Sequence, residues 1–129
     1  PGLVAECDTL NGCATGDAKI TGAYELPCKK VIHAVGPVYS TTKRKGMHTQ
    51  LLQGCYRRSL ELAVESGMRS IAFSAISTGV YGYPSMEAAE TAVGTVRSFL
   101  DEGKGEELDR IVFCNFLEKD EDAYFQVLP

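Results

Sequence analysis

Ser70-Ile71-Ala72-Phe73-Ser74-Ala75-Ile76 is a mostly apolar run that leads directly into Ser77-Thr78-Gly79-Val80-Tyr81-Gly82-Tyr83-Pro84. A short apolar run bounded by turn residues is typical of a strand buried in a sheet. From Ser85, a candidate N-cap, apolar residues recur at helical spacing. This stripe consists of Met86, Ala89, Val93, Val96 and Leu100. The stretch therefore predicts a strand, a glycine-containing loop and a helix in succession.

The same order of strand and helix recurs on both sides of this stretch. Upstream, residues 30–35 form a β-rich run ended by Gly36-Pro37. A helical pattern follows over residues 47–66, with Gly67 as its C-terminal stop. Its predicted inward face consists of Leu52, Cys55, Tyr56, Ser59, Leu62 and Ala63. Downstream, residues 110–117 form a third strand before a short helix near residues 122–127. This alternation predicts an α/β fold with helices on the faces of a parallel sheet whose strands are buried on both sides.

Three further segments complete the pattern. Residues 2–10 fit the end of a helix, residues 18–24 alternate as a more exposed strand, and residues 41–46 read as a polar loop. In parallel sheets, ligands bind where the carboxyl ends of the strands meet loops and helix N-termini. The loops after Ile76 and Phe116 are therefore the candidate binding region.

Composition narrows the class of protein. The 129 residues suffice for one domain, and no apolar run reaches the roughly 18 residues of a membrane span. A net charge of −4 without a basic cluster argues against direct nucleic-acid binding. Five cysteines, none spaced Cys-x-x-Cys, indicate reduced thiols in an intracellular protein, cytoplasmic or nuclear. The first residues resemble no signal peptide, and without an initiator Met we expect the sequence to begin partway through a longer one.

The loop over residues 77–84 carries the chemistry. Its glycines let the backbone approach a ligand closely, and successive N–H groups at a helix N-terminus can surround a diphosphate. Tyr81 or Tyr83 could lie against a sugar. A plain strand–helix turn with packed tyrosines remains an alternative on spacing alone. The P-loop pattern, the dinucleotide-binding glycine pattern and the nucleophile elbow are all absent from the sequence.

Four blocks give the sequence a specific resemblance. Residues 76–84 look like the phosphate loop of macro domains, and residues 10–21, 31–37 and 116–120 resemble segments of the MacroD-type subgroup, in the right order. The resemblance implies a three-layer α/β/α macro fold with a mixed, largely parallel central sheet. It also implies binding of ADP-ribose and hydrolysis of mono-ADP-ribose from acidic residues of modified proteins. Alternatives are a non-catalytic ADP-ribose reader and an O-acetyl-ADP-ribose deacetylase.

The resemblance assigns roles to particular residues. The loop would wrap the diphosphate and distal ribose through backbone N–H groups, Tyr81 would pack on that ribose, and Phe116 would stack on adenine. Core packing is the alternative role for Phe116. The expected ligand-binding set is Ile76, Ser77, Thr78, Gly79, Val80, Tyr81, Gly82 and Phe116. Neither a cofactor nor a metal is implied.

The sequence departs from the family pattern at its start. We expect residues 1–129 to be a single macro domain that lacks the family's N-terminal strands, its Asn-rich loop, and its Gly-rich loop with a nearby Asp. Catalytic residues therefore stay unknown. His33 fits a hydrogen-bonded core histidine better than a general base. The acidic run at residues 118–122 fits a helix start, where Asp caps and favours the dipole, better than a metal site.

Overall fold

A computed structural model of the chain describes residues 2–9, 12–24, 28–115 and 117–128. Within these ranges the chain forms five helices and four strands. In chain order they are α1 (Gly2–Thr9), β1 (Ala18–Gly22), β2 (Lys30–Ala34), α2 (Tyr39–Arg44), α3 (His48–Glu65), β3 (Ser70–Ser74), α4 (Ser85–Asp101), β4 (Arg110–Cys114) and α5 (Glu118–Val127). In this part of the chain, no helix combines the length and the apolar character needed to cross a bilayer.

The strands form two pairs of opposite sense. β1 and β2 are antiparallel, with Ala18 opposite Ala34, whereas β3 and β4 are parallel, with Ser70 opposite Arg110. Helix α3 contacts β1, β2 and β3 and so bridges the two pairs. The α/β class and the mixed strand directions are as predicted. The predicted single sheet is not observed, because within the described ranges β2 and β3 are not hydrogen-bonded neighbours.

Helix α3 lies where its periodicity predicts. All six predicted inward positions are buried, and Leu60 joins them; the six are Leu52, Cys55, Tyr56, Ser59, Leu62 and Ala63. Gly67 follows the C-cap residue Ser66 with a φ of 72°, the left-handed backbone that glycine adopts without a Cβ clash. The strongly amphipathic pattern and its glycine stop explain why both the helix and its face were predictable.

The predicted face of α4 is partly wrong. The buried residues are Ala88, Ala89, Ala92, Thr95, Val96 and Phe99, whereas Leu100 is 44% exposed. Met86 and Val93 are only partly buried. Helix α4 packs between α3 and α5, so its contact surface is wider than one stripe and includes alanines. Small residues outside the predicted stripe, such as Ala88 and Ala92, are therefore buried as well.

Three local predictions also need correction. β3 and β4 are not buried on both sides, because Phe73 and Phe113 pack into the core while Ala72 and Val112 on the opposite face are exposed. β1 is not the exposed strand predicted, since Ala18 and Thr21 are buried. Residues 41–44 continue α2 instead of forming a loop, and the Thr42 hydroxyl donates to the Val38 carbonyl at 2.8 Å.

Candidate functional site

The loop between β3 and α4 is held in a compact turn. Ser77 has a φ of 68° and Gly82 a φ of 73°, so the chain reverses at two left-handed positions. The Gly82 N–H donates to the Gly79 carbonyl at 3.0 Å, and the Tyr83 N–H donates to the Ser77 carbonyl at 2.9 Å. A left-handed conformation is rare for a residue with a Cβ and marks positions that the surrounding structure constrains. Ser77 is therefore held in place by its neighbours.

The loop presents a row of backbone donors without acceptors. Within the described residues, no hydrogen bond uses the backbone N–H of Ser77, Thr78, Gly79, Val80 or Tyr81. Gly79, Val80 and Tyr81 are exposed, and a Cβ added at Gly79 would meet no atom of the described residues within 4 Å. Consecutive unpaired N–H groups before a helix N-terminus form a concave arrangement suited to an anion. The geometry thus supplies the backbone donors that a diphosphate requires.

The two tyrosines of the loop have different environments. Tyr83 is 1% exposed and meets Tyr39 edge to face, with ring centroids 4.9 Å apart. Its burial raises the pKa of the phenol. Tyr81 is 44% exposed, and its carbonyl accepts the Tyr39 N–H at 3.0 Å. Tyr83 is therefore a core anchor, and of the pair only Tyr81 is open to a ligand.

Helix α5 is bonded to the loop through two successive side chains. Asp120 is 3% exposed and accepts the Thr78 hydroxyl at 3.0 Å and the Ser85 hydroxyl at 2.7 Å. The Lys119 Nζ donates to the Thr78 carbonyl at 2.6 Å. Thr78 is itself buried, so its hydroxyl serves this contact and only its backbone N–H remains for a ligand.

These contacts correct two predictions about helix starts. Ser85 does not cap α4, whose N-cap is Pro84, and no side chain caps α5, whose N-cap is Leu117. The acidic residues in the first turn of α5 still suit the helix dipole. Asp120, however, points away from the helix terminus and toward the loop.

Two buried polar atoms near the ends of the parallel strands have no partner in the described part of the chain. They are the Ser77 hydroxyl, after β3, and the Asn115 side-chain oxygen, after β4. Buried polar atoms are almost always hydrogen-bonded, so each of these is a candidate ligand contact. A Cβ at Gly36 would overlap the Ser77 hydroxyl and would lie 2.5 Å from Ile76 Cγ2. Gly36 thus lets the segment after β2 pack on the start of the loop.

The remaining candidates lie elsewhere or are not described. Phe116 lies outside the described residues, as do residues 10 and 11 of the family-like block at residues 10–21. His33 is half-buried, and its Nε2 lies 2.9 Å from the Thr21 hydroxyl, which agrees with a hydrogen-bonded structural histidine. Across the described ranges, no three His, Cys, Asp or Glu side chains gather in a metal-binding group.

The sequence did not predict which residues hold the loop in place. These are Gly36, Tyr39, Ser85, Lys119 and Asp120. The family-like block at residues 116–120 contained the last two, but nothing in its composition indicated a contact with residues some 40 positions earlier. Only the fold brings α5 beside the loop.

Comparisons with known proteins agree with the sequence resemblance. The Macro domain family model matches residues 1–92. The mouse protein "ADP-ribose glycohydrolase MACROD2" is 50% identical over 96% of this chain, which spans only 26% of that protein's length. A macro domain-containing protein of Chlorobaculum tepidum, CT2219, is 47% identical over 99% of this chain and 72% of its own length.

A solved structure extends the comparison to three dimensions. The crystal structure of a Trypanosoma brucei macrodomain in complex with ADP-ribose is 41% identical, with a TM-score of 0.87 over 98% of this chain and 51% of its own. Agreement at this level confirms the predicted macro-type α/β fold. The chain therefore spans about half the length of that structure and about a quarter of the length of the mouse relative.

Proposed function

This chain belongs to the macro domain family, and from that premise we propose that the protein binds ADP-ribose and removes mono-ADP-ribose from acidic side chains of modified proteins. The name of the mouse relative, an ADP-ribose glycohydrolase, supports the reaction. The ADP-ribose in the trypanosome structure supports the ligand. Both relatives are similar over almost the whole of this chain.

The row of unpaired amides from Ser77 to Tyr81 is the observation that carries the proposal. A diphosphate offers several oxygen acceptors, and charge-assisted hydrogen bonds from backbone N–H groups are stronger than neutral ones. Such donors hold an anion without basic side chains, which fits a chain of net charge −4. Gly79 leaves the approach to these amides unobstructed.

The other predicted residues complete the proposed ligand site. The exposed ring of Tyr81 would pack on the distal ribose, and the unpartnered Ser77 hydroxyl would bond to the ligand beside the diphosphate. Phe116, directly after Asn115, would stack on adenine. In this arrangement the amides hold the diphosphate so that a water beside it attacks where the distal ribose is joined to the acidic side chain. The bond between ribose and carboxylate breaks, the water's oxygen stays on the ribose, and the carboxylate leaves while its proton passes to solvent. No covalent nucleophile is needed.

Substrate assays separate this reaction from its alternatives. The full-length protein should release ADP-ribose from a protein mono-ADP-ribosylated on glutamate and bind free ADP-ribose by calorimetry. Binding without release would establish a reader instead of a hydrolase. Release of acetate from O-acetyl-ADP-ribose, with none of ADP-ribose from modified protein, would establish the deacetylase. An absence of binding would reject all three.

Replacement of Phe116 tests the proposed adenine contact. We expect Phe116→Ala to weaken ADP-ribose binding by about 1–3 kcal/mol, the scale of a lost base–aromatic stack. Phe116→Tyr keeps the aromatic face and should retain most of the affinity. Calorimetry on both variants, with thermal unfolding to confirm that each is folded, provides the measurement. Normal binding by the folded alanine variant would remove Phe116 from the site.

A further inference from the structure

A single buried carboxylate joins both ends of the loop. Asp120 Oδ2 accepts from Thr78, the second residue after Ile76, and Asp120 Oδ1 accepts from Ser85, the first residue of α4. The segment between these two contacts contains Gly79, Val80 and Tyr81, whose amides are unpaired. Its two ends are therefore fixed to one side chain on a third element, α5.

The chemistry of this junction depends on the carboxylate. A buried ionised group needs hydrogen-bond donors, and here each oxygen has its own hydroxyl donor. Lys119 adds a second contact from the same helix, to the Thr78 carbonyl at 2.6 Å. That bond orients the peptide unit between Thr78 and Gly79, which also carries the Gly79 N–H. Helix α5 thus determines the direction of an amide in the unpaired row.

We propose that Asp120 is a positioning residue that holds the residue 78–85 segment in its ligand-binding conformation, by joining the Thr78 and Ser85 hydroxyls from α5. The inference rests on the proposed function, because it concerns binding at the same loop. Without the carboxylate, the loop would have to be ordered when ligand binds, and that ordering would lower the affinity. Asp120 itself touches no ligand in this account.

The primary test is Asp120→Asn in the full-length protein. We expect the ADP-ribose dissociation constant to rise about 10- to 100-fold, since Asn offers one acceptor oxygen where two hydroxyls donate. Asp122→Asn is the matched control, because it makes the same change of charge two residues along the same helix at an exposed position. Its affinity should equal that of wild type. An Asp120→Asn variant that binds ADP-ribose as tightly as the Asp122→Asn control would overturn the proposal.

Thr78 provides an independent test that does not alter the buried charge. Thr78→Val removes the hydroxyl at nearly constant shape and should weaken binding, whereas Thr78→Ser keeps the donor and should recover much of that loss. The Asp120→Asn/Thr78→Val double variant should bind little worse than either single variant. If Asp120→Asn does not fold, Thr78→Val and Ser85→Ala still test the two bonds separately.

Thermal unfolding distinguishes positioning from structural support. A purely structural role predicts lower Tm values with unchanged affinity when binding is measured well below Tm, and this result would contradict the proposal. Wild-type protein that does not bind ADP-ribose would instead reject the proposed function. Wild-type binding combined with unaffected Asp120 and Thr78 variants would reject only the positioning role.

Discussion

Gly36, beside the loop, and Gly79, within it, have opposite surroundings. At Gly36 the protein itself leaves no room, since a Cβ would overlap the Ser77 hydroxyl and lie 2.5 Å from Ile76 Cγ2. At Gly79 the described part of the chain leaves open space, since a Cβ would meet none of its atoms within 4 Å. Any need for glycine at position 79 therefore comes from the ligand, whereas the need at position 36 comes from the fold.

This difference predicts different effects of alanine on stability. Gly36→Ala should lower the free energy of unfolding by about 1–3 kcal/mol, the usual effect of overpacking. Gly79→Ala should leave that free energy nearly unchanged. Urea unfolding of both variants provides the measurement. A Gly36→Ala protein as stable as wild type would show that Gly36 does not pack against Ser77 in solution.

The buried thiol of Cys55 should make the stability of the fold depend on pH. Cys55 is fully buried, its Sγ donates to the Val35 carbonyl at 3.2 Å, and burial raises its pKa from 9.0 to about 11. The folded state therefore keeps the proton over a range in which the unfolded chain loses it. Stability should be unaffected by this group below pH 9 and should fall between about pH 9 and 11.

Comparison with Cys55→Ala isolates this contribution. The slope of unfolding free energy against pH between 9 and 11 should be shallower in the alanine variant, although that variant is less stable overall. At pH 8, a thiol reagent should modify the exposed Cys28 and Cys114 and leave Cys55 unmodified until the protein unfolds. Rapid modification of Cys55 in the folded protein would contradict its burial.

In helix α4, the buried face differs from the face that the spacing of its apolar residues predicts. Phe99 is fully buried and faces the Arg57 guanidinium at 5.9 Å, while the adjacent Leu100 is largely exposed. Phe99→Ala should lower the free energy of unfolding by about 3–5 kcal/mol, the range for an aromatic side chain removed from a core. Leu100→Ala is the matched control and should change it by less than about 1 kcal/mol. Equal losses of unfolding free energy in the two variants, measured by chemical denaturation, would instead support the apolar face that the sequence predicts, which includes Leu100.

The elements that could be predicted from the sequence are those with strong local signals. Helix α3 was predictable because its apolar stripe is regular and Gly67 ends it. The order of strands and helices followed from apolar runs and helical spacing separated by turn residues. The loop was recognisable because Ser77 to Pro84 is a contiguous pattern. The role of Asp120 was not predictable, because its partners Thr78 and Ser85 are 42 and 35 positions away. Such a contact is a property of helix packing and leaves no local signature.

Across the whole molecule, the largest departure from a covered sheet is at β3 and β4, one face of which is exposed to solvent. Val112 is exposed on that face, and a groove of about 490 Å³ between β4 and α5 includes the ring of Phe125, which is 75% exposed. β2 and β3 also have no hydrogen-bonded neighbour on one side within the described ranges. Unpaired strand edges and contiguous apolar surface promote association with other chains.

This surface predicts the behaviour of residues 1–129 expressed alone. We propose that they lack part of the macro domain, so the isolated chain should self-associate in light scattering and should release no measurable ADP-ribose from modified protein. A positioned base contributes about 100- to 10,000-fold, and no candidate for one lies in the described loop. The full-length protein is the comparison. A monomeric 129-residue chain with full activity would refute the proposal. Mutagenesis would then turn to ionisable residues elsewhere in the chain, first His33 and Asp17.

Calorimetric titration of ADP-ribose into the full-length protein and its Gly79→Val variant tests whether the loop over residues 77–84 binds the ligand diphosphate. A Cβ at position 79 would meet no atom of the described residues within 4 Å, so we expect the variant to unfold close to the wild-type temperature. It would, however, stand where the ligand diphosphate must approach the amides of Ser77 to Tyr81, and binding should be abolished. Wild-type affinity in a folded Gly79→Val protein would contradict the account and remove this loop from the ADP-ribose site.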